Sequence, residues 1–130
     1  MADKLRLLIV DDSKTALAQL GAIISEIDCA EVVGTAENGL SAIRSAADST
    51  PDLIFMDIVM PEMDGLSALR LMRAKNPEVR VAMVSSLGGS GSHAEEAFRL
   101  GAVQVIAKPF DPELINALIE SEVSLQMKET

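Results

Sequence analysis

Short apolar runs alternate with longer stretches of helical spacing along the whole of this 130-residue chain, and that alternation constrains the fold most. The runs are Leu5 to Val10, broken only by Arg6; Val32-Val33; Leu53 to Met56; Val79 to Val84, broken only by Arg80; and Val103 to Ala107, broken only by Gln104. Runs that do not alternate polar with apolar fit strands covered on both faces, the mark of a parallel sheet. The first helical stretch carries Leu17, Leu20, Ile23, Ile24 and Ile27 after a capping Ser13. A second runs from Gly39 to Ala47 with Leu40, Ile43 and Ala47 on one face. A third runs from Glu62 to Ala74 with Leu66, Leu69 and Met72, and a fourth from Ser92 to Leu100, ended by Gly101. Asp111-Pro112-Glu113 opens the fifth, followed by Leu114, Ile115, Leu118 and Ile119. Right-handed crossovers then put helices on both sheet faces, which gives an α/β, doubly wound (βα)5 fold with a five-stranded parallel sheet.

The length suits one domain, read here as residues 1–125 with a polar tail at 126–130. Gly88 to Ser92 is flexible in composition but lies between a strand and its helix, so it reads as a functional loop. The 48% hydrophobic and 24% charged content is globular. With 3 Phe and no Trp or Tyr the core is aliphatic, and base-stacking platforms are excluded. Met56, Met60, Met63, Met72 and Met83 read as core filling in such a chain. A formal charge of -9 weighs against direct nucleic-acid binding and favours a basic partner or a bound cation. Cys29 is alone, so it forms no internal disulfide, and there is no Cys/His cluster for zinc. His93, the single histidine, reads as a surface residue at a helix start. No signal peptide and no membrane-length apolar run is present, so the expectation is a soluble, reduced, cytoplasmic protein without membrane contact.

In open parallel α/β sheets, ligands bind beyond the carboxyl ends of the strands. Asp11-Asp12 follow the first run, Asp57 the third, Ser85-Ser86 the fourth and Lys108-Pro109 the fifth. Clustered carboxylates either bind protons or hold a cation, and oxygen ligands without His or Cys favour Mg²⁺. Lys108 can neutralise one carboxylate and reach a phosphoryl oxygen, and Ser85 can donate to another. Asp57, at the end of an apolar strand, can act as a nucleophile toward phosphorus. Each piece has a plainer reading alone: Asp12 or Ser13 as a helix cap, Asp57 as a loop acceptor, Lys108-Pro109 as a turn. The combination from four strand ends is what points to phosphoryl chemistry.

Val10-Asp11-Asp12-Ser13, the segment Met56 to Gly65 (MDIVMPEMDG), Met83-Val84-Ser85-Ser86 and Ala107-Lys108-Pro109-Phe110, in that order, resemble the receiver domain of two-component response regulators. The resemblance covers essentially the whole chain. It implies a flavodoxin-like strand order of 2-1-3-4-5. It also implies Asp57 as phosphoacceptor and Ser85 as the switch hydroxyl. Mg²⁺ would be held by Asp12, Asp57 and the Val59 carbonyl, with Asp11 acting largely through water. Lys108 would assist the phosphoryl group, and the Lys108–Pro109 bond would be cis. The implied partners are a histidine kinase as phosphodonor and a downstream protein target that reads the fourth helix, fifth strand and fifth helix. Glu95, Glu96, Arg99, Gln104 and Glu113 are candidate contacts there, each equally at home on a solvated face. The expected state is a monomer or weak dimer.

Met83 to Leu87 and Gly101-Ala102-Val103 most resemble chemotaxis-type, CheY-like receivers and the receiver of the chemotaxis methylesterase. Val105 replaces the aromatic switch residue common in such receivers, so switching must rest more on Ser85 and its loop. Val59 and Leu87, two beyond Asp57 and Ser85, have no side chain to orient an attacking water, which implies slow self-dephosphorylation. An aspartyl-phosphate hydrolase is the enzymatic rival, but Val59 stands where its acid/base carboxylate would be needed. A flavin carrier would need stacking aromatics and a first loop free of Asp11-Asp12. The remaining alternatives are a phosphate-independent interaction domain of receiver fold, or the excised receiver of a larger regulator. The expectation is a non-enzyme that promotes only its own phosphorylation and slow dephosphorylation.

Overall fold

Alternate side chains of the central strands feed two separate cores, one on each sheet face. The computed structural model describes residues 4–86 and 92–129. In chain order the elements are β1 (Leu5–Val10), α1 (Lys14–Ser25), β2 (Ala30–Ala36), α2 (Gly39–Ser49), β3 (Leu53–Asp57), α3 (Gly65–Lys75), β4 (Val81–Ser85), α4 (Ser92–Arg99), β5 (Gln104–Ala107) and α5 (Pro112–Glu129). The strands pair in parallel in the order β2-β1-β3-β4-β5, as the resemblance implies. Leu5, Leu7 and Ile9 of β1, with Leu53 and Phe55 of β3, meet Leu20 and Ile24 of α1 and Ile115 and Ile119 of α5. Leu8, Val10, Ile54, Met56, Val81 and Met83 point the other way, toward α2, α3 and α4. Burial on both faces is why these strands read as unbroken apolar runs.

The core is aliphatic as expected: Met56 and Met83 are fully buried, Met60 and Met72 nearly so, and Met63 packs against them. Among its described side chains, helix α4 buries only alanines, Ala94 and Ala97, over Val105. Its hold on the sheet therefore involves less apolar area than that of any helix anchored by leucine or isoleucine.

Several boundaries differ from the sequence reading. The β2 strand extends beyond Val32-Val33 because an edge strand tolerates exposed Glu31 and Thr35. Helix α3 begins at Gly65 after the Asp64 cap, not at Glu62, which takes a left-handed φ of 66° inside the preceding loop. Helix α5 continues through Glu129, so 126–129 extend it beyond the point read as a tail. Ser13 caps α1 as expected, accepting from Ala16 N–H. Gly101 ends the α4 segment at φ 102°, a conformation that favours glycine. Leu87 and most of the glycine-serine loop, residues 88–91, lie outside the described residues.

Candidate functional site

The carboxyl ends of β1, β3, β4 and β5 converge on one edge, and the residues singled out in the sequence meet there. Asp57 and Ser85 are the last residues of β3 and β4 and are buried, while Asp11 is buried just past β1. Hydrogen bonding in the sheet fixes this placement: Ile58 N–H donates to Val84 C=O, and Lys108 N–H to Ser85 C=O, both at 3.0 Å. Asp12 is exposed beside Asp11. One carboxylate oxygen each from Asp11, Asp12 and Asp57 lie within 4.8 Å of one another. Lys108 reaches between two of them, with Nζ 2.7 Å from Asp11 Oδ2 and 3.5 Å from Asp57 Oδ2. The other Asp11 oxygen accepts from Ser13 N–H at 2.9 Å, which fixes its orientation.

Three carboxylates face one ammonium here. At such separations each like-charge pair repels by about 3 kcal/mol at an effective dielectric of about 20. The consequence is visible at Asp57. Burial first, then the charge of Asp11, push its pKa up to about 6, and Lys108 only partly opposes them. At Lys108, burial disfavours the ammonium, but the hydrogen bond to Asp11 and the charge of Asp57 outweigh it, so its pKa is raised. A hard divalent cation would relieve the surplus negative charge, and the all-oxygen donor set fits Mg²⁺ better than zinc or a soft metal. The carboxylates of Asp11, Asp12 and Asp57 are the groups close enough together to hold it.

The loop between β3 and α3 is closed by glycine. Gly65 N–H donates to Ile58 C=O at 2.8 Å, and a Cβ at Gly65 would overlap the Asp57 carbonyl oxygen. Only a residue without a side chain lets α3 start so close to the phosphoacceptor candidate. Val59, two residues past Asp57, is 62% exposed. The Lys108–Pro109 peptide is cis.

The sequence profile of the response regulator receiver domain matches residues 7–120. The chain belongs to the response regulator receiver family. Among curated relatives, it is 40% identical over 116 residues to the chemotaxis protein CheY of Listeria monocytogenes, covering 89% of this chain and 96% of that one. It is 45% identical over 111 residues to a protein-glutamate methylesterase/protein-glutamine glutaminase of Thermotoga maritima. That match covers 84% of this receiver but only 32% of the methylesterase. The response regulator domain of Thermotoga maritima CheB superposes with a TM-score of 0.82 at 36% identity, covering 96% of this chain and 97% of that one. CheY in the CheX–CheY–BeF3–Mg²⁺ complex of Borrelia burgdorferi superposes with a TM-score of 0.85 at 29% identity, covering 92% and 89%. Phosphorylation-dependent, chemotaxis-type signalling is consistent with this kinship.

Two features of this receiver escaped the sequence reading. Arg80, just before β4, forks onto the buried carboxylate of Glu122 in α5, with Nη2–Oε2 at 3.0 Å and Nε also bonded to Oε1. No local pattern links positions 42 residues apart. The other is Gly39, whose N–H donates to Met63 C=O at 3.0 Å. Its signal was legible: two helices facing this corner open with a cap followed by glycine, Asn38-Gly39 and Asp64-Gly65. Glycine is a poor helix former, so its use at both starts asks for a steric reason.

Proposed function

We propose that this receiver is a Mg²⁺-dependent phosphoacceptor switch whose acceptor is Asp57. The observation that carries the reading is the buried Asp57 carboxylate, in contact with Lys108 and sharing one pocket of negative charge with Asp11 and Asp12. An Asp57 oxygen attacks the phosphorus of a histidine kinase phosphoimidazole. The new O–P bond forms as the P–N bond breaks, and the imidazole leaves with a proton. Lys108 compensates charge on the phosphoryl oxygens, and Ser85 offers its hydroxyl once the group is attached. Mg²⁺ would supply charge neutralisation between the carboxylates and the incoming group. The presence of Mg²⁺ and BeF3 in the Borrelia CheY complex supports that assignment.

The added phosphoryl group carries about 1.5 to 2 negative charges, which biases the segment after Ser85 and thereby α4, β5 and α5 toward a downstream protein. The light alanine anchoring of α4 suits an element that rearranges. Glu96 is already engaged, bridging Arg70 of α3 and Arg99. Glu95, Arg99, Gln104 and Glu113 are exposed. Kinship to CheY supports a chemotaxis-type role, which we read as a cytoplasmic one in which the chain promotes only its own phosphorylation and slow dephosphorylation. Among the described residues no helix is long and apolar enough to cross a membrane.

Incubation with acetyl phosphate and Mg²⁺, read by intact mass, tests the reading. One phosphoryl adduct on the wild type and none on Asp57→Asn is expected. Adducts on both proteins would misplace the acceptor, and adducts on neither would favour a phosphate-independent interaction domain.

A further inference from the structure

The turn between β2 and α2 contributes no side chain to the acidic corner, yet it grips both loops that do. Ala36, the last residue of β2, accepts a hydrogen bond from the Asp11 backbone N–H at 3.0 Å. Three residues later, Gly39 N–H donates to the Met63 carbonyl at 3.0 Å. The first N–H groups of a helix have no partner within it. In α2 the Asn38 side chain takes Ser41 N–H, while Gly39 spends its N–H on the loop that carries Val59. The approach is tight. A Cβ at Gly39 would lie 2.6 Å from the Met63 carbonyl oxygen and 2.8 Å from the Met63 Cβ. That obstruction includes backbone, so the loop itself would have to move.

We propose that residues 36–39 are a positioning strap and that Gly39 is its clasp. The strap holds the Val59–Met63 loop in register with Asp11 and Asp12, and so sets Mg²⁺ affinity and the rate of phosphoryl uptake. It touches neither ion nor phosphoryl group. This inference rests on the Mg²⁺-dependent phosphoacceptor reading of the corner. It also has a reciprocal consequence. If the ion binds well only with the clasp closed, ion binding must stabilise the closed clasp by the same factor.

Three proteins of this 130-residue sequence test it: wild type, Gly39→Ala, and Ala47→Gly as a control that weakens α2 at an exposed position two turns beyond Gly39. Calorimetric titration with magnesium chloride gives Mg²⁺ affinity, and melting in EDTA gives the stability of the ion-free fold. Gly39→Ala is expected to weaken Mg²⁺ binding about 10- to 100-fold, the usual range for losing a partner behind a metal ligand. Its acetyl phosphate reaction at low Mg²⁺ should slow in proportion. Ala47→Gly should melt earlier in EDTA yet bind Mg²⁺ within about twofold of wild type. Wild-type affinity in Gly39→Ala, or equal weakening in both variants, overturns the strap. A wild type that binds no Mg²⁺ overturns the phosphoacceptor reading along with it. Should Gly39→Ala fail to fold, amide exchange on the wild type decides: the Gly39 N–H should exchange about tenfold more slowly or better at saturating Mg²⁺, and an unchanged rate overturns the proposal.

Discussion

Two ionic contacts sit at opposite ends of the same parallel sheet and obey opposite rules. At the amino end of β4, Arg80 meets Glu122 in a forked geometry that satisfies both carboxylate oxygens. At the carboxyl end, Lys108 meets Asp11 and Asp57 with Asp12 close by, so one cation faces three anions. The first arrangement pairs opposite charges and joins α5 to the sheet. The second is unbalanced, and the surplus makes it a site. A protein that only needed to fold would gain nothing from three carboxylates within 4.8 Å of one another.

That contrast can be broken from either end. The largest effect is expected from Lys108→Ala, which removes the amine that offsets charge on the transferring group. Phosphorylation by acetyl phosphate should slow by about 100- to 1000-fold, as for loss of one donor in a charge-stabilising site. Arg80→Ala should leave that rate near the wild-type value and act on stability. It strands Glu122, 3% exposed, without its partner, at a cost of about 3 kcal/mol by chemical denaturation. Replacing both partners with apolar residues, Arg80→Met with Glu122→Leu, should recover most of that loss. A similar slowing of phosphorylation in Arg80→Ala would mean that the two ends are coupled rather than distinct.

The corner should also reveal its frustration when no cation is present. The folded-state pKa of Asp57 is about 6, above its ordinary value of 3.8, so the folded protein holds this proton more tightly than the unfolded chain. Stability in EDTA should therefore fall as pH rises from about 4 to about 6, and the loss should be complete above that window. Asp57→Asn removes the buried charge. It should be about 2 kcal/mol more stable than wild type at pH 7 without Mg²⁺, with the gain vanishing near pH 4. The smallest effect concerns lifetime. Val59 offers no side chain to orient water, so Val59→Asn should shorten the phosphoryl half-life, by about tenfold if its amide aligns water as a positioned polar group does. An unchanged half-life would place the control of hydrolysis elsewhere.

What the sequence made legible follows from how each feature is encoded. Strands covered on both faces write themselves as apolar runs, and a cap such as Ser13 is local, so the alternation of elements and the fold class could be read directly, while the strand order came from the family resemblance. Asp11, Asp12, Asp57, Ser85 and Lys108 could be assembled because each follows a strand and parallel topology brings strand ends together. The start of α3 was harder. Glu62 has a good helix-forming side chain, and its left-handed backbone is imposed by the closure of Gly65 onto Ile58 and Asp57. Arg80–Glu122 was invisible because its partners meet only after α5 has docked, and at Gly39 the cap-plus-glycine start was a local signal while its partner, Met63, was not. A glycine that spares room for another segment's backbone leaves no periodicity behind.

The central claim is that the charge surplus at the carboxyl end exists to receive a divalent cation beside a phosphoacceptor. Calorimetric titration of the EDTA-stripped protein with magnesium chloride, wild type against Asp57→Asn, addresses it most directly. The account predicts one Mg²⁺ per chain in the wild type and clearly weaker binding when the Asp57 carboxylate becomes an amide. Binding of equal strength in both proteins, or none in the wild type, would contradict it.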